Sequence, residues 1–145
     1  MNTEKLTEMF FKYNLVKDTD VFRHQHFVIL TRSGIEKIQA QEEIDVTFEV
    51  IKCETNFAGV KATARKDDKI IETYGSALKG EGFKDGNCNT WYVLEMAEKR
   101  ALARSILKLL NLYEINVKSE DEADDFKKSD VALTIKNNEN GEEKS

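Results

Sequence analysis

The sequence predicts an α+β domain. Its expected parts are an antiparallel three-stranded β-meander and a long α-helix packed on that sheet. A short strand and helices precede them, and a disordered acidic C-terminal tail follows. Three observations lead there. Period-two alternation runs through three successive stretches between residues 45 and 78, separated only by short connections. The next strong pattern, WYVLEMAEKRALARSILKLLNLYE (91–114), is helical throughout and holds no glycine or proline. Beyond residue 113 the composition turns acidic and poor in large apolar side chains.

The elements follow in order. TEKLTEMFFKYNL (3–15) places Leu6, Met9, Phe10 and Tyr13 at helical spacing. HFVIL (26–30) is short and apolar enough for a strand. SGIEKIQAQEEI (33–44) reads as a helix, with Ser33 and Glu36 at capping-box spacing and Ile35 and Ile38 on one face. DVTFEVIKCET (45–55) alternates Val46, Phe48 and Val50 against Thr47 and Glu49, a half-buried strand. GVKATARK (59–66) sets Val60, Ala62 and Ala64 against Lys61, Thr63 and Arg65. A KDDK turn then leads into KIIETYGSAL (69–78). The connections ETNFAG and KDD are short enough for a meander of hairpins. A glycine-bearing loop, KGEGFKDGNCN (79–89), opens the long helix with Asn89 or Thr90 as its cap.

Composition bounds the class. The chain has 145 residues, enough for one core, with 40% apolar and 34% charged residues, as in a soluble globular protein. No apolar run reaches the roughly 18 residues of a membrane span, and MNTEKLTEMFFKYNL lacks the basic start of a signal peptide. Two widely spaced cysteines, Cys53 and Cys88, suit a reduced cytoplasmic setting. The formal charge of −5 belongs to one end of the chain. Residues 1–113 hold 17 Lys+Arg and 17 Asp+Glu, whereas 114–145 hold 5 and 10. The expected organisation is therefore a domain over 1–113 and an acidic, mostly disordered tail over 114–145, the latter a possible docking peptide for a protein partner. A weak apolar run, VALTI (131–135), interrupts the tail.

The long helix carries a functional signal. Leu94, Ala97, Ala101, Ser105 and Leu109 form a packing stripe with small residues at its centre. Arg100, Arg104 and Lys108 stack at i, i+4 and i+8 on another face, with no acid four residues on to pair with them, and Lys99 lies beside them. Like charges in a row repel, so an external anion is expected to complete them, and these positions are expected to be exposed and without a folding role. Lys61 and Arg65 add to the outward sheet face, and Lys66 and Lys69 sit at the hairpin. Together these eight residues read as a surface that tracks phosphates.

The same segments resemble a known group. A strand and helix, a three-stranded meander, a glycine-bearing loop and a helix reading LEMAEKRALARSILKL (94–109) resemble the single-strand annealing recombinases, the Rad fifty-two-like superfamily with its short phage and bacterial Sak-type relatives. Glu95, Ala97, Lys99, Ala101 and Arg104 match the group's helix signature, and ETYGSAL and FVILTRSGIEKIQ resemble its small-residue turn and its strand-to-helix segment. The resemblance spans residues 25–113; after the helix, LNLYE departs from the group's aromatic and glycine-rich stop. It implies ATP-independent binding of single-stranded DNA and annealing of complementary strands by a homo-oligomer, a ring or filament, in phage-type recombination or repair. Neither a catalytic residue nor a cofactor is implied.

Other chemistry is weaker. His24 and His26 have strand spacing and could join Cys88 at a metal, yet no CxxC or HxxxH pair completes a site. GEGFKDG lacks the Gly-Lys-Ser/Thr of a phosphate loop. Asp45 and Glu49 share a face for a metal-dependent nuclease, but strand parity sends Lys52 to the other. The chain thus reads as a strand-annealing protein. The alternatives are a non-catalytic adaptor module and, behind it, a small nuclease.

Overall fold

A computed structural model describes residues 3–24, 27–80 and 86–122. It contains α1 (Thr3–Tyr13), β1 (Val21–Arg23), β2 (Val28–Leu30), α2 (Arg32–Gln41), β3 (Asp45–Cys53), β4 (Phe57–Lys66), β5 (Lys69–Leu78), α3 (Val93–Leu109), a 3-10 turn (Leu112–Ile115) and β6 (Val117–Ser119). Two three-stranded sheets form, ordered β1-β2-β6 and β3-β4-β5. The second is the expected antiparallel meander, and α3 packs on it. No helix among the described residues is long and apolar enough to cross a membrane.

Small residues set the meander's packing. Ala58, Val60, Ala62 and Ala64 of β4 and Thr73, Gly75 and Ala77 of β5 face the helix, against Ala97 and Ala101. A Cβ on Gly75 would stand 2.3 Å from the Ala97 carbonyl oxygen and 2.5 Å from the Ala101 nitrogen. The helix backbone therefore rides directly on the strand, and the Thr73 hydroxyl donates to the Ala101 carbonyl at 2.8 Å. At the other end of β5, Lys66 and Lys69 pair across a two-residue turn in which Asp67 takes φ 54°, a left-handed conformation that aspartate tolerates.

A second core lies beneath the small sheet. The C-terminal half of α3 (Leu102, Ile106, Leu107, Leu109) packs with Leu6, Val28, Leu30, Ile35, Ile38 and Val117. Asp20, 1% exposed, ties this region together. Its carboxylate accepts from the Val16 N–H, the Ser33 hydroxyl and Lys37 Nζ, the last at 2.6 Å, while its carbonyl accepts from the Thr31 N–H.

Several local expectations need correction. The cap of α2 is Thr31, whose Oγ1 accepts from the Gly34 N–H; Ser33 forms no capping box because Asp20 takes its hydroxyl. Neither Asn89 nor Thr90 caps α3, which begins at Val93, and Thr90 Oγ1 instead accepts from the Tyr92 N–H. The long helix stops at Leu109, because Asn111 turns left-handed at φ 57°. Ordered chain also continues past 113. β6 pairs in parallel with β2, Val28 opposite Val117, and Val117 is fully buried. The domain therefore reaches at least Glu122, nine residues past the expected boundary. VALTI lies outside the described residues.

β3 differs from its neighbours. Val46 is half-buried as expected, but Phe48, Val50 and Ile51 are 40%, 52% and 53% exposed. The cause is coverage: α3 lies over β4 and β5 and scarcely reaches β3. A bulge also interrupts the register, with Val50 opposite Val60 and Lys52 opposite Gly59, so Ile51 is the extra residue.

Candidate nucleic-acid interface

The basic row of α3 runs along the free edge of β5. Arg100 Nη1 donates to the Ser76 carbonyl at 2.7 Å and Nη2 to the Asn87 carbonyl at 2.6 Å. One turn on, Arg104 Nη1 donates to the Tyr74 carbonyl at 2.8 Å. Helix and strand run antiparallel, so each helical turn meets a carbonyl two residues further back. The spacing arises because i, i+4 on a helix and i, i+2 on a strand advance at similar rates, about 6 Å and 6.6 Å. Asn87 completes the seal: its Oδ1 accepts from the Leu78 N–H, and its own N–H and that of Cys88 donate to the Leu78 carbonyl. This edge of the sheet is closed by side chains.

Arg100 thus departs from the expectation of an exposed, structurally idle position. Its side chain is only 11% exposed, and it holds strand, loop and helix together. Lys108, by contrast, is exposed, as are Arg65 and Lys69, and among the described residues no ion pair or hydrogen bond engages the side chains of these three. The remaining cations are paired. Lys61 Nζ lies 2.7 Å from Glu72, an arrangement whose hydrogen bond and charge raise the lysine pKa. Lys66 donates to the Glu42 carbonyl at 2.9 Å and lies near its carboxylate.

The chain supplies anions of its own to the helix. Glu120 Oε1 lies 3.5 Å from Lys99 Nζ and accepts from the Arg32 N–H at 2.8 Å; Asp121 Oδ1 lies 3.7 Å from Arg100 Nε. These acids sit at the start of what was expected to be free tail. They are held by a capping box: the Ser119 N–H donates to Glu122 Oε1 and the Glu122 N–H to Ser119 Oγ. Tyr113 also donates to Glu122, and burial first, then the Glu122 carboxylate, pushes its phenol above the ordinary tyrosine range. The S-x-x-E spacing of SEDE was the available signal for this docked turn.

The eight expected residues therefore fall into separate groups. Lys61 and Arg65 point to the outward sheet face, where the register sets them opposite Glu49 and Asp45. Arg100, Arg104 and Lys108 border the β5 edge, Lys66 and Lys69 lie at the hairpin, and Lys99 turns to Glu120. Tyr74, 58% exposed, lies in register with Lys61 and next to the edge that Arg104 seals.

The bulge at Ile51 revises the parity reading of β3. Asp45 pairs with Arg65, Glu49 with Lys61, and Lys52 with Gly59, all outward positions of β4, so Lys52 shares their face. Lys52 Nζ is 3.3 Å from Glu54. Among the described residues no group of three or more His, Cys, Asp or Glu side chains is arranged to hold a metal ion. His26 lies outside those residues; the His24 ring stacks on Phe27. Comparison with family models, curated proteins and solved structures gave no match.

Proposed function

We propose that this chain binds single-stranded DNA and promotes ATP-independent annealing of complementary strands, as a non-catalytic protein of recombination or repair. The supporting observation is the line of cations beside β5. Arg104 and Lys108 follow one another along the edge, and exposed Lys69 and Arg65 stand at the hairpin end. Arg104 commits one donor to the Tyr74 carbonyl, and a guanidinium has five. A phosphate chain can follow such a line without reading base edges, which suits strand annealing.

Assembly of copies through β3 belongs to the same proposal. The β5 edge is occupied by arginine and asparagine side chains, so the lateral contact uses β3, whose apolar residues Phe48, Val50 and Ile51 are left uncovered. Pairing of β3 with β3 gives a two-fold dimer, and pairing of β3 with a different surface gives a ring or filament.

The direct test is the rate at which labelled complementary oligonucleotides anneal without nucleotide or metal. Acceleration above the spontaneous rate supports the proposal, and an unchanged rate opposes it. The exposed β3 face favours a second reading, an adaptor that binds another protein. Absence of oligonucleotide binding, with capture of a defined partner lost on substituting Phe48, distinguishes that case.

A further inference from the structure

At the Leu78 end of β5, past the Arg104 end of the cation line, two large aromatic side chains stand in solvent. Trp91 is 64% exposed and Tyr92 is 69% exposed, although both immediately precede a well-packed helix. Neither contributes to either main core. Their backbone is fixed nonetheless. Thr90 Oγ1 accepts from the Tyr92 N–H, the Tyr92 carbonyl accepts from the Met96 N–H, and buried Cys88 donates its thiol to the Thr90 carbonyl. Lys79 Nζ stands 4.9 Å from the centre of the Trp91 ring. An exposed indole on this backbone, beside an ammonium group, presents a π-face for a base and a charge for the adjoining phosphate.

From these observations we infer that Trp91, with Tyr92 beside it and Lys79 over its ring, is a stacking platform for an unpaired nucleobase at one end of the bound strand. The inference rests on the single-strand binding proposed above and deepens it, because it specifies a base contact that phosphate tracking alone does not require. Stacking engages the face of a base and leaves its Watson–Crick edge free, so the contact is compatible with pairing to a complementary strand. It also ignores base identity, since every base has a π-face. A nearby cation and the adjoining basic edge favour an anionic polymer with flat rings.

The chain has a single tryptophan, so its intrinsic fluorescence reports on this position alone. The experiment titrates full-length protein with end-labelled oligothymidylate and with an abasic strand of equal length, following label anisotropy and tryptophan emission together. The parent is expected to bind oligothymidylate about tenfold more tightly than the abasic strand, with emission quenched only by the former. Trp91→Ala should bind both strands alike, near the parent's abasic affinity, and Trp91→Phe should recover most of the difference. Circular dichroism checks that both variants are folded, as expected for an exposed side chain. Unquenched emission on bound oligothymidylate, or parental affinity in Trp91→Ala, overturns the platform while leaving strand binding intact. A parent that binds neither strand removes the binding proposal and the platform with it.

Discussion

The Arg100 guanidinium reaches from the middle of α3 to the Ser76 carbonyl on the outer edge of β5, at 2.7 Å. It also holds the Asn87 carbonyl and lies 3.7 Å from the Asp121 carboxylate. One residue thereby joins the helix, the last strand of the meander, the following loop and the C-terminal segment. Replacing it with glutamine leaves carbonyls and a carboxylate short of a charged donor. Urea denaturation of Arg100→Gln should show a loss of about 2 kcal/mol. Lys108→Gln, at an exposed position of the same row, should change stability by less than about 0.5 kcal/mol. Equal stability in the two variants would contradict the structural role of Arg100.

Gly75 makes a sharper packing test. An added methyl would meet the α3 backbone at 2.3 Å, and neither element can yield without separating. Gly75→Ala should cost about 3 kcal/mol. The control is Gly59→Ala on the adjoining strand, whose Cβ would meet nothing closer than a Phe57 ring atom at 4.0 Å. Thermal unfolding of both variants checks the contrast.

Asp20 fixes the acid response of the small-sheet region. Burial alone would raise its pKa, but hydrogen bonds from Lys37, Ser33 and the Val16 N–H together lower it. A lowered folded-state pKa stabilises the protein above the unfolded aspartate value, and that contribution fades as pH falls through the folded value. Asp20→Asn should therefore cost about 2 kcal/mol near neutral pH, less than for a fully buried pair because Lys37 is partly exposed. The gap to the parent should close in acid. A gap constant down to acid pH would show that the carboxylate charge is not the source.

Much of this architecture was legible in the sequence because it is periodic. The alternation of Val60, Ala62 and Ala64 with Lys61, Thr63 and Arg65 fixes both faces of β4, and the alanines on α3 announce close packing. What stayed hidden depends on partners distant in the chain. Arg100 looks like a surface cation until Ser76 and Asn87 are seen beside it. Ile51 breaks the strand parity without any glycine to announce a bulge, and so puts Lys52 on the face of Glu49. β6 is three residues long, too short to show a period, and among the described residues its strand pairing is to β2 alone. Its presence pulls Glu120 and Asp121 onto the helix, where a free tail had been expected.

That docked turn changes what truncation is expected to do. Cutting after Val117 removes two of the three residues of β6 and should destabilise the domain, whereas cutting after Glu122 should leave it intact. Neutralising the two acids in place is the cleaner probe. Glu120→Gln with Asp121→Asn should strengthen binding of single-stranded DNA by about threefold at low salt, with the difference fading as salt rises. Equal affinity at low salt would show that these acids do not compete with DNA.

Assembly is tested on β3. Sedimentation of the parent should give a species larger than the monomer, at least with oligonucleotide bound, and Phe48→Glu with Val50→Lys should return it to monomer. An unchanged mass would place the lateral contact elsewhere.

The central claim is that phosphates follow the exposed cations beside β5, and the salt dependence of oligonucleotide affinity tests it most directly. Each lost phosphate contact flattens the log–log slope by about 0.7 for a single strand, so replacing Arg65, Lys69 and Lys108 together by glutamine should flatten it by about 2. All three side chains are solvent-exposed, and the folding contacts of Arg100 and Arg104 are untouched. The account predicts steep salt dependence in the parent and that shallower slope in the variant. A parental affinity independent of salt, or identical slopes for parent and variant, would contradict it.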